Sequence, residues 1–255
     1  VTTHVRHPYL DHPGPIAFAH RGGAADGLEN TAAQFRRAVE RGYRYIETDV
    51  HATADGRLVA FHDATLDRVT DGAGRIAELP WREVSRARVA GREPVPLFED
   101  LLAAFPEVRW NVDVKAEPAL LPLLDVLDRA DAWGRVCVGS FSEARVARAQ
   151  RLAGPRLATS YGTRAVLELR LRSWGVPLAP RRSAVAVQVP VSQSGVPVAD
   201  RLFVRAAHAR GLHVHVWTVN EAAEMHRLLD LGVDGIMTDH IDTLRTVLQE
   251  RGVWV

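Results

Sequence analysis

Two histidines, three carboxylates and two cationic side chains stand out in this chain as residue types that can do chemistry together. His20 and Arg21 close the short apolar run Ile16 to Ala19 and are followed by Gly22 and Gly23. A strand giving way to a loop is where α/β enzymes keep their chemistry. Glu47 and Asp49 lie two apart in the run Tyr45 to Val50, and Asn111, Asp113 and Lys115 alternate through Arg109 to Lys115. Residues two apart in a strand share a face, so each set forms a cluster, with Val112 and Val114 turned the other way. Charge near a protein interior is costly unless it is paired, binds metal or reaches solvent. Glu47, Asp49 and Asp113 make an all-oxygen set suited to one divalent cation, Mg²⁺ or Ca²⁺, with Mn²⁺ also accepted. No Cys or His cluster with zinc spacing competes. The other reading pairs these acids with Arg21, Lys115 or an arginine from a helix.

Most of the eleven histidines must serve structure, but His20 and His62 stand at strand ends beside the acids. Histidine exchanges a proton near neutral pH, so two of them across a phosphate can share the acid and base roles. Arg21 and Lys115 are placed to hold the phosphate oxygens and to neutralise charge that develops there.

These residues need a scaffold of strands. Apolar runs near Ile16–His20, Tyr45–Val50, Arg109–Lys115, Val136–Ser140, Leu157–Tyr161, Ala184–Pro190, Val214–Asn220 and Gly235–Asp239 give eight strands, with helix-period segments between them. One such segment runs from Asn30 to Arg41 and stops at Gly42. Eight parallel strands covered by helices close most economically into a (β/α)8 TIM barrel. An open doubly wound sheet needs a Gly-rich dinucleotide turn after the first strand, which His20-Arg21-Gly22-Gly23 is not. The stretch from Thr53 to Pro96 reads as an insertion after the second strand, on the catalytic rim. It carries a turn at Asp55-Gly56, a strand Leu58 to His62 and a loop at Gly72-Ala73-Gly74, with a helical piece from Leu97 to Phe105 beyond it. The expectation is one domain over 1–255 with the insertion at about 53–96.

Composition excludes several functions. With 32 basic against 31 acidic residues there is no electrostatic footprint for nucleic acid and no polybasic membrane anchor. A hydrophobic share of 47% supports a sizeable core. Cys137 is the single cysteine and lies between valines, so it reads as strand packing rather than as a reactive thiol. The lead-in to Pro15 lacks the pattern of a secretory signal and no apolar run approaches the ~18 residues of a membrane span, so a cytoplasmic enzyme is expected.

The combination His20-Arg21-Gly22, Glu29-Asn30-Thr31, Ile46 to Val50, Asp55-Gly56, His62-Asp63, Leu66-Asp67-Arg68 and Gly72-Ala73-Gly74 resembles the glycerophosphodiester phosphodiesterase family. The similarity continues through Asn111 to Lys115, Val216 to Asn220 and Gly235 to Asp239. It implies a TIM barrel with a small insertion after the second strand. It also implies hydrolysis of glycerophosphodiesters to glycerol 3-phosphate and an alcohol with one divalent cation, through attack of the glycerol 2-hydroxyl and a cyclic phosphate. Carried over by residue, His20 and His62 match the acid and base, Arg21 and Lys115 the phosphate contacts, and Glu47 and Asp49 metal ligands. Asp113 stands where the family usually has Glu, and Leu28 and His240 where it commonly has Pro. Trp217 matches a tryptophan on the substrate side of the pocket in the family, with barrel packing the equal alternative, and Phe141 is a weaker case of the same kind. Two rivals remain: cleavage of lysophospholipids or phosphatidylinositol-type diesters on the same barrel, and a noncatalytic barrel that binds phosphodiesters.

Among the other polar residues, His51 is expected to make a rim hydrogen bond, and His213 and His215 to serve the barrel interior or surface. The arginines from Arg164 to Arg182 read as solvated helix faces.

Overall fold

A computed structural model describes residues 7–178 and 183–255. Among these, eight parallel strands form a nearly closed ring: β1 Ile16–His20, β2 Tyr45–Ala52, β3 Arg109–Val114, β4 Val136–Gly139, β5 Ala158–Thr159, β6 Ala186–Pro190, β7 His213–Trp217 and β8 Gly235–Thr238. Their order round the ring is β5-β4-β3-β2-β1-β8-β7-β6. The gap between β5 and β6 is spanned by one parallel bridge, Ser160 to Ala186, with backbone bonds from Tyr161 to Ala186 and from Val185 to Thr159, each 3.0 Å. The TIM barrel expected from the alternating pattern is therefore present, although β5 is only two residues long.

A helix follows each strand: α1 Ala32–Glu40, α2 Phe98–Ala104, α3 Leu120–Arg129, α4 Glu143–Ala153, α5 Thr163–Ser173, α6 Arg201–His208, α7 Ala222–Leu231 and α8 Ile241–Glu250. Side-chain caps mark several starts, as the Thr31 hydroxyl does by accepting the Gln34 amide, which satisfies a donor that helical bonding leaves open. Helix α1 is shorter than the Asn30 to Arg41 expected, because Asn30 sits at φ 58° and serves the site instead. No helix among the described residues is long and apolar enough to cross a membrane.

Alternation along the strands sorts the core. Ile46, Val50, Val112, Val114 and Val138 pack outward against the helices. The floor of the barrel interior is apolar, built from Ile16, Phe18, Tyr45, Cys137, Ala158 and Met237, and Tyr9 and Leu10 of the turn Pro8–Leu10 pack into it. Cys137 is wholly buried there and burial pushes its thiol well above the usual range. Above this floor Gln188 donates to Asn111 at 2.6 Å and approaches the His215 Nδ1 at 3.4 Å. The charged residues occupy the top.

The insertion after β2 folds back on the barrel. Leu58–Ala60 pairs antiparallel with Val50 to Ala52, two residues shorter than the expected strand. A helical turn Trp81–Val84 and the short pair Arg88–Val89 with Glu93–Pro94 follow. Phe61, Leu66, Ile76, Val84 and Val95 give the segment an apolar core of its own, so it holds its shape on the rim.

One expectation is corrected. Arg170 of α5 is not on a solvated face; it is 7% exposed and forks onto both oxygens of Asp200 at 2.8 and 2.6 Å. Asp200 also caps α6 by accepting the Phe203 amide, so the pair staples two neighbouring helices. Arg181 and Arg182 lie outside the described residues.

Candidate active site

The chain leaves β1 through a left-handed turn that needs glycine at two of its three positions. Arg21, Gly22 and Gly23 take φ values of 51, 85 and 93°, and the amides of Gly22 and Gly23 reach the carbonyls of Ala19 and His20 at 3.1 and 2.8 Å. A Cβ on Gly22 would lie 2.8 Å from the Phe35 ring, so both conformation and space demand glycine. Arg21 carries a side chain through the same left-handed region, and its amide is held by Glu47 Oε2 at 3.2 Å. Strain of this kind persists where surrounding contacts fix it.

That turn leaves His20 at the mouth of the barrel. Its Nδ1 meets Asp239 Oδ1 at 2.7 Å, and its Nε2 lies 3.7 Å from Glu47 Oε2. Asn220 orients Asp239 by donating to its carboxylate at 3.3 Å and accepting its amide at 3.0 Å. A neutral imidazole that gives its Nδ1 proton to a carboxylate keeps Nε2 for proton transfer. Burial pushes His20 down, but Glu47 and Asp239 outweigh it, and the net shift is upward.

His62 arrives from the inserted segment with the same arrangement, its Nδ1 2.6 Å from Asp63 Oδ1. The His62 carbonyl accepts from His51 Nε2 at 3.1 Å, which is the rim hydrogen bond expected of His51. Asp63 is held down at about 2, chiefly by hydrogen bonds from Arg68.

The carboxylates stand on the inner faces of β2 and β3, where Glu47 pairs in register with Asn111 and Asp49 with Asp113. Lys115 Nζ sits between Asp49 and Asp113, at 2.8 and 2.7 Å. Asp49 also accepts from Asn30 at 3.1 Å and faces Arg21 Nε at 3.5 Å. Burial raises Asp49, yet Lys115 and Arg21 bring it below the ordinary range. Burial likewise opposes the charge on Lys115, and Asp49 and Asp113 reverse that and raise it. Ion pairing of the acids with Arg21 and Lys115 is thus part of the site.

Among the described residues, no group of three or more His, Cys, Asp or Glu side chains is drawn together to hold a metal ion. The chemistry of the donors nevertheless fits a hard cation. Asp113 Oδ1 is buried without a partner, and burial raises Asp113 despite Lys115. Burial, then the charge of Asp49, push Glu47 up to about 7. Burial leaves the charge of both carboxylates incompletely compensated, although Lys115 pairs with Asp113, and both are oxygen donors of the kind Mg²⁺ and Ca²⁺ prefer.

Trp217 ends β7 and meets the Phe141 ring edge to face at 5.9 Å. Phe141 is 63% exposed and lies 5.9 Å from Lys115 Nζ. The two rings therefore lie beside the Lys115 ammonium, and Trp217 also packs against the apolar floor. His215 is fully buried below, away from this rim.

The structure thus brings His20, Arg21, Glu47, Asp49, Asp113 and Lys115 to the mouth of one barrel, with His62 tied to β2 beside them by the bond of its carbonyl to His51. Sequence reasoning gave no role to Asp239, Asp63, Glu29 or Arg68. Asp63 adjoins His62 in sequence, and that adjacency was the available signal. Asp239 meets His20 only because β8 closes onto β1.

Residues 20–243 match the model of the glycerophosphoryl diester phosphodiesterase family. The chain belongs to this family. A relative from Mycobacterium tuberculosis named "Probable glycerophosphodiester phosphodiesterase 2" is 44% identical, over 96% of this chain and 95% of its own. A lysophospholipase D from Homo sapiens is 28% identical over 90% of this chain and 85% of its own. The structure of a phosphodiesterase from Oleispira antarctica, solved in complex with the product sn-glycerol-3-phosphate, superposes with a TM-score of 0.77 at 22% identity, covering 92% of this chain and 97% of that one. At that identity the last match shows a shared fold. Family members thus carry names for more than one phosphodiester substrate, and the glycerophosphoryl diester phosphodiesterase barrel is common to them.

Proposed function

We propose that this protein hydrolyses glycerophosphodiesters to glycerol 3-phosphate and an alcohol, and that the chain over 1–255 acts as one catalytic unit with the rim segment at about 53–96 supplying His62. The observation that carries the reading is the pair of imidazoles, each with Nδ1 on a carboxylate at 2.7 and 2.6 Å, beside the cations Arg21 and Lys115. The M. tuberculosis relative's name and the product in the O. antarctica complex support the same substrate class.

In this reading Arg21 and Lys115 hold the non-bridging phosphate oxygens. Nε2 of His20 takes the proton of the glycerol 2-hydroxyl as that oxygen attacks phosphorus, and His62 protonates the departing alcohol. The product is a cyclic phosphate. Water then opens the ring with the two histidines in exchanged roles, and glycerol 3-phosphate leaves. Glu47, Asp49 and Asp113 would hold one divalent cation, Mg²⁺ or Ca²⁺, which when bound neutralises phosphate charge and lowers the pKa of the attacking hydroxyl. Trp217 and Phe141 would border the organic part of the substrate.

The test is release of glycerol 3-phosphate from a series of glycerophosphodiesters with Mg²⁺, Ca²⁺ or Mn²⁺, against chelator-treated protein. Replacing His20 or His62 with Ala is expected to lower turnover roughly 10²–10⁴-fold. Near-normal rates in both variants would remove the acid–base assignment. The human relative's name favours a second reading, cleavage of lysophospholipids. Faster turnover of a lysolipid than of glycerophosphocholine would put that reading first.

A further inference from the structure

Arg68 belongs to the inserted segment, yet it joins two carboxylates that each hold a different active-site residue. Its guanidinium donates to both oxygens of Glu29, Nη1 to Oε2 at 3.0 Å and Nη2 to Oε1 at 2.6 Å. The same group donates through Nε to Asp63 Oδ2 and through Nη2 to Asp63 Oδ1 at 3.1 Å. Glu29, in the loop after β1, accepts from Arg21 Nη1 at 3.0 Å, and Asp63 faces His62 Nδ1. A continuous line therefore runs from His62 through Asp63, Arg68 and Glu29 to Arg21.

The side chain of Arg68 is 48% exposed while that of Glu29 is 11% exposed. Ion pairs this open to water add little to stability, so the fork matters for geometry. A planar guanidinium engages two carboxylates at once with fixed angles, which an ammonium does not reproduce. Strand pairing with β2 and the His51 bond to the His62 carbonyl already hold the backbone of the insertion on the rim, so what the fork adds is the setting of the side chains it joins.

We propose that Arg68 is a positioning residue, whose single fork sets the imidazole of His62, through Asp63, and the guanidinium of Arg21, through Glu29, against the same phosphate. The inference rests on reading His62 as a proton-transfer group and Arg21 as a phosphate contact. It divides the effect of Arg68 into two separable branches. Asp63 acts on proton transfer and Glu29 on substrate binding.

The experiment compares Arg68→Ala, Arg68→Lys, Asp63→Asn and Glu29→Gln, with Arg75→Gln, an exposed arginine of the same segment paired to Glu78, as control. Kinetics use glycerophosphocholine, and ¹⁵N imidazole shifts of His62 are read in parallel without substrate. Asp63→Asn is expected to lower kcat with KM kept, and Glu29→Gln to raise KM with kcat kept. Arg68→Ala and Arg68→Lys should do both, by roughly 10–10²-fold in kcat/KM, as small misplacements do. The His62 spectrum should move from one Nδ1–H tautomer to a mixture in the Arg68 variants and stay unchanged in Arg75→Gln. A merely structural role for Arg68 would lower the melting temperature without changing the tautomer, and that outcome overturns the proposal. So do Arg68 variants with wild-type kcat and KM. If the wild type turns over no glycerophosphodiester, the functional reading fails, while a changed His62 tautomer in Arg68→Ala would still support the positioning link.

Discussion

Asp239 Oδ1 and His20 Nδ1 meet at 2.7 Å across the seam where β1 pairs with β8. Asp239 is ionised more readily than an ordinary aspartate: burial opposes its charge, but the bond to His20 and the positive groups around it win. The carboxylate therefore holds one tautomer of His20 and stabilises its protonated form. Asp239→Asn keeps the shape, loses the charge and allows the ring to rotate. We expect kcat to fall about 10²-fold with KM little changed, because general acid–base steps carry gains of that order. Steady-state kinetics on glycerophosphocholine check this, and an unaltered kcat would detach Asp239 from the reaction.

How much of this site could be read beforehand depended on whether the contact was made along a strand or across the fold. Glu47, Asp49, Asp113 and Lys115 were legible because alternation places them on one face whatever the rest of the chain does. The barrel was legible because its strands are apolar runs set between helical periods. Arg170 was misread, since a helix pattern shows which residues are polar but not that Asp200, thirty positions on, will fork with Arg170. The same limit hid the link between Glu29 and Arg68, which are 39 positions apart. Lys115 between Asp49 and Asp113 was foreseen only as one of two alternatives, because spacing fixes the face of a side chain and not the direction of its end.

His215 makes stability depend on pH in acid. Burial, then the charge of His213, lower it from 6.5 to about 3. Between those values the unfolded chain binds a proton that the folded one does not, so the contribution is complete above pH 6.5 and is lost as pH falls towards 3. One such proton corresponds to about 1.4 kcal/mol per pH unit. His215→Gln keeps an amide near Gln188 and removes the titration. Melting temperature against pH between about 6.5 and 4 should fall less steeply in the variant. Parallel curves would show that another group controls the acid limb.

Glu47 has the opposite dependence. Its pKa is raised from 4.5 to about 7, so without a cation its contribution to stability is full below pH 4.5 and is lost as pH rises through 7. A divalent cation binds the ionised carboxylate and competes with the proton. The rise in melting temperature on adding saturating Ca²⁺ or Mg²⁺ should therefore be larger at about pH 8 than at about pH 5. An equal rise at both would place the cation elsewhere.

Asp113 separates stability from function most sharply. Its Oδ2 serves Lys115 at 2.7 Å, while its Oδ1 is buried without a partner, so an ionised carboxylate there is only half compensated. Asp113→Asn still offers Lys115 an acceptor and removes a negative charge from beside Asp49, and Lys115 keeps Asp49 at 2.8 Å. In cation-free buffer near neutral pH the variant should melt no lower than the wild type, because an incompletely paired buried charge is a cost. Its affinity for Ca²⁺ or Mg²⁺ should fall roughly 10-fold or more, since a neutral amide is a weaker donor to a hard cation. Calorimetric titration and melting curves with and without cation measure the two effects separately. A variant that melts lower in cation-free buffer yet binds the cation as the wild type does would make Asp113 a partner of Lys115 alone.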